Sequence, residues 1–143
     1  MMPNFVQLLI VVSGLKYIER TKLAKMPQLK VLNFYGNHIE HFDEDVFNDL
    51  RNLEMLAFVH NKIKVLPSKL LWNLNNLKEI LSFYNPIEAI PANFFKNNKK
   101  LEKFLMKSRK MNVFTIKDVI HVIYQFNIYK KRFFNIVDQK VNL

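Results

Sequence analysis

No cysteine occurs anywhere in the chain. Disulfides, thiolate nucleophiles and cysteine-based zinc sites are excluded together. Compartment stays open, because a disulfide-free chain can live anywhere. Glycine is almost as scarce: Gly14 and Gly36 are the two present, and they do not form a phosphate-cradling loop. The serines are isolated, none in the G-x-S-x-G setting of an activated hydroxyl. No Asn-x-Ser/Thr acceptor for glycosylation is present. No apolar run reaches the roughly 18–20 residues that a bilayer span needs. Phe5–Val12 (FVQLLIVV) is long enough for a signal-peptide core. It lacks a basic segment before it, and Val12-Ser13-Gly14 is a weak substitute for an Ala-x-Ala-like cleavage site.

Acidic charge is also missing from one end. Residues 96–143 hold three Asp/Glu against twelve Lys/Arg, a net of +9. Residues 1–95 hold nine against ten, a net of +1, which completes the total of +10. The basic character therefore belongs to the C-terminal end. The length of 143 residues fits one domain, and half of them are hydrophobic, enough for a core.

What the sequence does contain is a repeat. Leu29–Asn52 (LKVLNFYGNHIEHFDEDVFNDLRN) recurs 24 residues later as Leu53–Asn76 and again as Leu77–Lys100. The shared spacing is L-x-x-L-x-L-x-x-N-x-I/L. It is carried by Leu29, Leu32, Phe34, Asn37 and Ile39, then by Leu53, Leu56, Phe58, Asn61 and Ile63. The third set is Leu77, Ile80, Ser82, Asn85 and Ile87, with Ser82 the polar departure. One step back, Phe5, Leu8, Ile10, Leu15 and Ile18 keep the register, with Ser13 in place of the asparagine. Phe5–Gln28 is thus a complete unit, and Phe5–Val12 reads as its strand rather than as a leader. One step forward, Leu101, Phe104, Met106 and Met111 keep the apolar positions of a decaying fifth unit, where Arg109 replaces the asparagine. Several positions repeating together at one period resemble the leucine-rich repeat in its 24-residue form.

Each unit predicts one short strand followed by a turn and a convex return. Strands of successive units pair in parallel, about 4.8 Å apart, in a curved sheet. The fold class expected is an α/β repeat solenoid with an irregular convex side, covering residues 1–111. Alternation along a strand sends Leu32 and Phe34 inward and Val31, Asn33 and Tyr35 outward. Asn37, Asn61 and Asn85 sit where the chain leaves the sheet, and a buried amide can both donate to and accept from the backbone stranded there. Pro67 and Pro91 suit the extended, donor-poor return. Phe47, Leu71 and Phe95 fill the convex side of the core, with Trp72 half-buried beside them.

Residues 112–143 leave the period. Thr115-x-x-Asp118 is a capping-box variant that starts a helix near Ile116. Val119, Val122, Phe126, Tyr129, Phe133 and Ile136 follow as an amphipathic stripe. The β-branched and aromatic content of Val119–Tyr129 favours a strand instead, and the helix is the reading adopted. It serves as a cap over the last unit, or the segment is a tail. The first unit starts almost at Met1 with nothing to cover its outer edge. That leaves two alternatives: a fragment of a longer array, or self-association through that edge.

Outward positions, taken across units, bring Val31, Met55 and Leu81 near Tyr35, Val59, Phe83 and Tyr84. His60 lies inside this patch, where it would make binding pH-sensitive. Contiguous apolar and aromatic surface marks a partner site. His38 and His41 lie near Asp43, Glu44 and Asp45, but on the turn and return of one unit, so a solvated surface is expected there rather than a metal site. No cofactor is expected. Resemblance to leucine-rich repeat proteins implies a non-enzymatic module that binds another protein on its concave face. It also implies an extracellular or cell-surface setting, although the cysteine-bearing caps of such proteins are missing. The alternative function is electrostatic docking of the basic end, Lys96 to Lys110 and Lys130 to Arg132, to nucleic acid or anionic membrane. No known nucleic-acid module is visible, so nucleic acid is not the expected partner.

Overall fold

The structure is a computed structural model that describes residues 6–106. The expected C-terminal helix, the tail and its basic residues, and Arg109 and Met111 lie outside the described residues. Within them runs one parallel sheet of five three-residue strands: β1 Gln7–Leu9, β2 Val31–Asn33, β3 Met55–Ala57, β4 Glu79–Leu81 and β5 Lys103–Leu105. Sheet order equals chain order. Leu8, Leu32, Leu56, Ile80 and Phe104 face one another in register. The 24-residue period thus becomes a solenoid, with one strand contributed by each turn.

The strands are short because each turn of the chain must leave the sheet again. What holds the turns together is the column of apolar side chains that alternation sends inward. Leu29, Leu53, Leu77 and Leu101 are fully buried, as are Leu32, Leu56 and Phe34, with Phe58 and Ile80 nearly so. At roughly 1.5–3 kcal/mol for each such side chain, this column is the main favourable term. No unit could bury these residues alone, so stability is a property of neighbours. At the first turn Leu8, Ile10, Leu15 and Met26 are only partly buried against the column.

The convex side is mostly turns. Val46 N–H bonds to Asp43 O, Leu70 N–H to Pro67 O and Phe94 N–H to Pro91 O, at matching positions of successive units. Proline fits there because its own N–H is not called upon. The first unit differs, forming a single helical turn, α1 Arg20–Leu23, that buries Leu23.

The three asparagines do as their positions predict. Asn61 Nδ2 donates to Phe58 O at 3.0 Å within its own unit and to Phe34 O at 2.9 Å in the preceding one. Its Oδ1 accepts from Ile39 N–H at 3.1 Å. Asn37 and Asn85 repeat the arrangement, Asn37 bonding to Ile10 O and Phe34 O and Asn85 to Phe58 O and Ser82 O. The side chain of Ser13, in the asparagine position of the first unit, makes a local bond from its hydroxyl to Val11 O, 3.0 Å. No described unit precedes it, so the bridging bonds have no target among the described residues.

The residue before each of these positions has a left-handed backbone: Val12 at φ 48°, Gly36 at 69°, His60 at 54° and Tyr84 at 57°. Gly36 alone suits that conformation. A Cβ added there would come within 3.0 Å of Val12 Cγ2. Gly36→Ala is therefore expected to cost about 1–2 kcal/mol from backbone strain, plus a contribution from the contact. Urea denaturation should show that Val12→Ala in the same chain removes the contact part and leaves the backbone part.

Candidate protein-binding face

The outer face of the sheet is built from the residues that alternation turns away from the core. Val31 pairs with Met55 and Met55 with Glu79, while Asn33, Ala57 and Leu81 form the next row. Val31, Met55 and Leu81 are half-buried on this face. Ala57 is buried despite facing outward; a methyl group set between Asn33 and Leu81 is overtopped by its larger neighbours. The rows continue past the strands through Gly36 N–H to Val59 O and His60 N–H to Phe83 O. Val59 and Phe83 are half-buried, and Tyr35, His60 and Tyr84 are exposed, Tyr84 by 58%.

Three of these side chains form a rail across the turns. The Tyr35 and His60 rings meet edge-on at 5.4 Å, and His60 stacks on Tyr84 at 4.3 Å with 15° between planes. Phe83 lies tilted beside Tyr84 at 6.3 Å. The face therefore brings Tyr35, His60, Phe83 and Tyr84 together as ring neighbours. Sequence reasoning placed these four residues in one patch. It did not find the left-handed backbone that carries His60 and Tyr84, for which Gly36 in the same row was the available signal. The first unit extends the surface with Leu9 and Val12, 59% and 70% exposed.

Charge lines the start of the strands. Glu54 lies between Lys78 at 3.1 Å and Lys30 at 3.7 Å, and Glu79 pairs with Lys103 at 2.9 Å. The hydrogen bond from Lys78, its charge and then that of Lys30 hold the Glu54 carboxyl below the ordinary glutamate range. Each pair joins neighbouring turns, and each is exposed enough to contribute little to stability.

The cluster around His41 lies on a different flank. Arg20 bonds to Asp49 at 2.9 Å and Asp45 at 2.8 Å, tying the first unit to the second. The hydrogen bonding of Arg20 to Asp49 lowers the Asp49 pKa. The Tyr17 hydroxyl donates to Asp43, which raises the Tyr17 pKa. Among the described residues, no group of three or more histidine and carboxylate side chains is arranged to hold a metal. A groove of about 520 Å³ beyond the asparagine ladder is lined by Glu40, His41, Lys62, Lys64 and Pro86, an open charged wall. No helix among the described residues is long and apolar enough to cross a membrane.

Comparison with known proteins agrees with this geometry. A family model described as leucine rich repeat matches residues 3–63 and 27–87, together more than half of the chain. Comparison with curated proteins returns no match. Among solved structures, the leucine-rich repeat domain of APL1B superposes with a TM-score of 0.74 at 19% identity, over 76% of this chain and 32% of that one. The Toll–Spatzle complex of Drosophila gives 0.70 at 22% identity, over 78% of this chain and 15% of that one. Internalin C2 of Listeria monocytogenes gives 0.61 at 21% identity, over 74% and 43%. At these identities the likeness is one of fold, and the chain spans less than half the length of each.

Proposed function

The chain belongs to the leucine-rich repeat family, and from that premise we propose that it is a non-enzymatic module that binds another protein on the concave face of its sheet. The observation that carries this reading is the contiguous rail of Tyr35, His60 and Tyr84, flanked by Phe83. Aromatic side chains left in water at the centre of a rigid face are the usual anchors of protein interfaces. Val31, Met55, Val59 and Leu81 supply the apolar floor beside them. That a solved structure of similar fold is a protein bound to a protein supports the same class of partner. An extracellular or cell-surface setting belongs to this proposal through the family alone.

The test is capture of partners from native extract by the full chain and by Tyr35→Glu/Phe83→Glu. Two anchor losses at about 2 kcal/mol or more each should reduce binding by at least a hundredfold. Val65→Glu, at an exposed position away from the rail, should capture the same set as wild type. Raised salt should leave binding largely intact, whereas docking dominated by phosphate contacts would weaken steeply. Equal capture by wild type and the double variant, with equal urea midpoints, would overturn the proposal.

A further inference from the structure

The flank beyond the asparagine ladder carries charge that the fold does not use. We infer that the groove there is a second binding site, independent of the concave face, which takes an acidic segment of a protein partner through Lys62 and Lys64. The groove, about 520 Å³, crosses the second to fourth units and is lined by Glu40, His41, Lys62, Lys64 and Pro86. Lys62 and Lys64 are both exposed, while Ile63 between them has no exposure to water. Alternation therefore sends both ammonium groups to the outer side of one extended stretch. Neighbouring units fix that stretch from both sides. Lys62 N–H bonds to Ile39 O at 2.8 Å, Ile63 N–H to Asn85 Oδ1 at 3.2 Å, and Glu88 N–H to Lys64 O at 3.1 Å. The two lysine stems thus start about 6.6 Å apart, on a backbone that needs no further ordering to bind.

Charge decides what enters. Lys30, Lys78 and Lys103, at the strand starts, each have a carboxylate partner; among the described residues Lys62 and Lys64 have none. The carboxylates that follow His41 in the chain are already engaged. Asp43 accepts from the Tyr17 hydroxyl, Glu44 from Ser68 Oγ and Lys69 N–H at 3.3 Å, and Asp45 from Arg20 at 2.8 Å. Glu40 is the one carboxylate lining the groove, and it forms no ion pair with either lysine. Two cations against one anion leave the groove positive. A nucleic acid would draw a continuous line of charge, one per about 1.7 Å of duplex, past Glu40 and those carboxylates. A short acidic segment avoids them. Carboxylates at i and i+2 of an extended peptide leave it on one side, at the same spacing as the two lysines.

Spacing is what makes the site selective. Adjacent carboxylates on an extended peptide point to opposite sides, so only one of them can reach the lysine pair. Glu40, on the second unit, repels an acidic segment that shifts off the lysines toward it. Each exposed pair contributes little and is screened by salt, so binding depends on both lysines being met at once.

The experiment titrates the full, isotope-labelled chain at low ionic strength with octapeptides carrying Glu-Ala-Glu, Glu-Glu-Ala or Gln-Ala-Gln at the centre, and follows backbone amide shifts by NMR. The Glu-Ala-Glu peptide should shift Lys62, Ile63 and Lys64 and bind about three- to tenfold more tightly than Glu-Glu-Ala, and Gln-Ala-Gln should shift none of them. Lys62→Ala/Lys64→Ala, at exposed positions, should weaken Glu-Ala-Glu about five- to thirtyfold, and Glu40→Gln should tighten it about two- to fivefold. Inorganic phosphate shifting the same amides as tightly as Glu-Ala-Glu would mean an adventitious anion site and overturn the inference. Equal binding of Glu-Ala-Glu and Glu-Glu-Ala would do the same. So would shifts confined to residues 96–143, with the net +9 there as the acceptor, or unchanged binding by the double variant at an unchanged urea midpoint. The concave-face reading stands or falls separately, on Tyr35→Glu/Phe83→Glu.

Discussion

Asn61→Ala is expected to destabilise the chain by about 3–4 kcal/mol, although it removes no apolar surface. Asn61 is buried and serves two turns of the solenoid at once. Its Oδ1 is the acceptor for Ile39 N–H at 3.1 Å, and its Nδ2 donates to Phe34 O, Phe58 O and Val59 O. The carbonyls keep partners in the variant: Asn37 still bonds to Phe34 O, Asn85 to Phe58 O and Gly36 N–H to Val59 O. Ile39 N–H loses the acceptor that Asn61 supplies, in a residue with no exposure to water. An orphaned buried donor costs about 1–3 kcal/mol, and each lost bond adds roughly 0.5–1.5 more. Asn61→Asp restores the acceptor but sets a carboxylate against three carbonyl oxygens, so it should be at least as damaging. Asn37→Ala provides the gradient. Its Oδ1 accepts from Ser13 and Leu15 N–H in partly buried surroundings, where water can replace it. A loss of about 1–2 kcal/mol is expected there. Urea denaturation of the three variants checks the order; an Asn61→Ala loss under about 1 kcal/mol would refute the account.

That ladder was legible before any coordinates because it needs only identity and spacing. A side chain that both donates and accepts, placed where each strand ends, has few other uses. The strand register, the inward leucines and the outward rows follow from the same period, and the five strands confirm them. Lateral detail was not legible, because it depends on rotamers and backbone hand rather than on period. The left-handed row is a case in point: Val12, His60 and Tyr84 all argue against such a backbone, and only Gly36 hints at it. The burial of Ala57 depends on the size of the residues beside it in neighbouring turns. Asn98 is a second case. It occupies the position of Leu50 and Leu74, is fully buried, and donates to Leu71 O and Leu74 O at 2.8 and 3.0 Å. Its Oδ1 is buried without a hydrogen-bond partner. A polar residue in a leucine position predicts a defect in the column, but not which carbonyls it finds. Ser82 is a milder version, its hydroxyl reaching Leu105 O at 3.3 Å.

Phe47→Ala should be the most damaging change in the convex half of the core, at about 3–5 kcal/mol. Phe47 has no exposure to water and stands in a chain of rings: Phe34 at 6.4 Å, Phe42 at 5.2 Å, and from Phe42 on to Phe58 at 5.3 Å. The two Phe42 contacts are edge-to-face, a geometry worth about 0.5–1.5 kcal/mol per pair beyond burial. Phe47 and Phe42 belong to the second unit and Phe58 to the third, so a cavity at Phe47 weakens the coupling between turns as well as one turn. In a solenoid that coupling is what makes the units unfold together. Against a total stability of about 5–15 kcal/mol, Phe47→Ala removes a substantial fraction, and its urea transition should broaden as well as shift. Phe47→Leu separates packing from register. Leu23 and Leu71 hold the equivalent position in the neighbouring units and are themselves buried, so the backbone there accepts leucine without strain. Its expected cost is about 1–1.5 kcal/mol, the loss of ring contacts with little residual cavity. A leucine variant as unstable as the alanine variant would mean that the two turns are held by the specific ring geometry and not by filled volume.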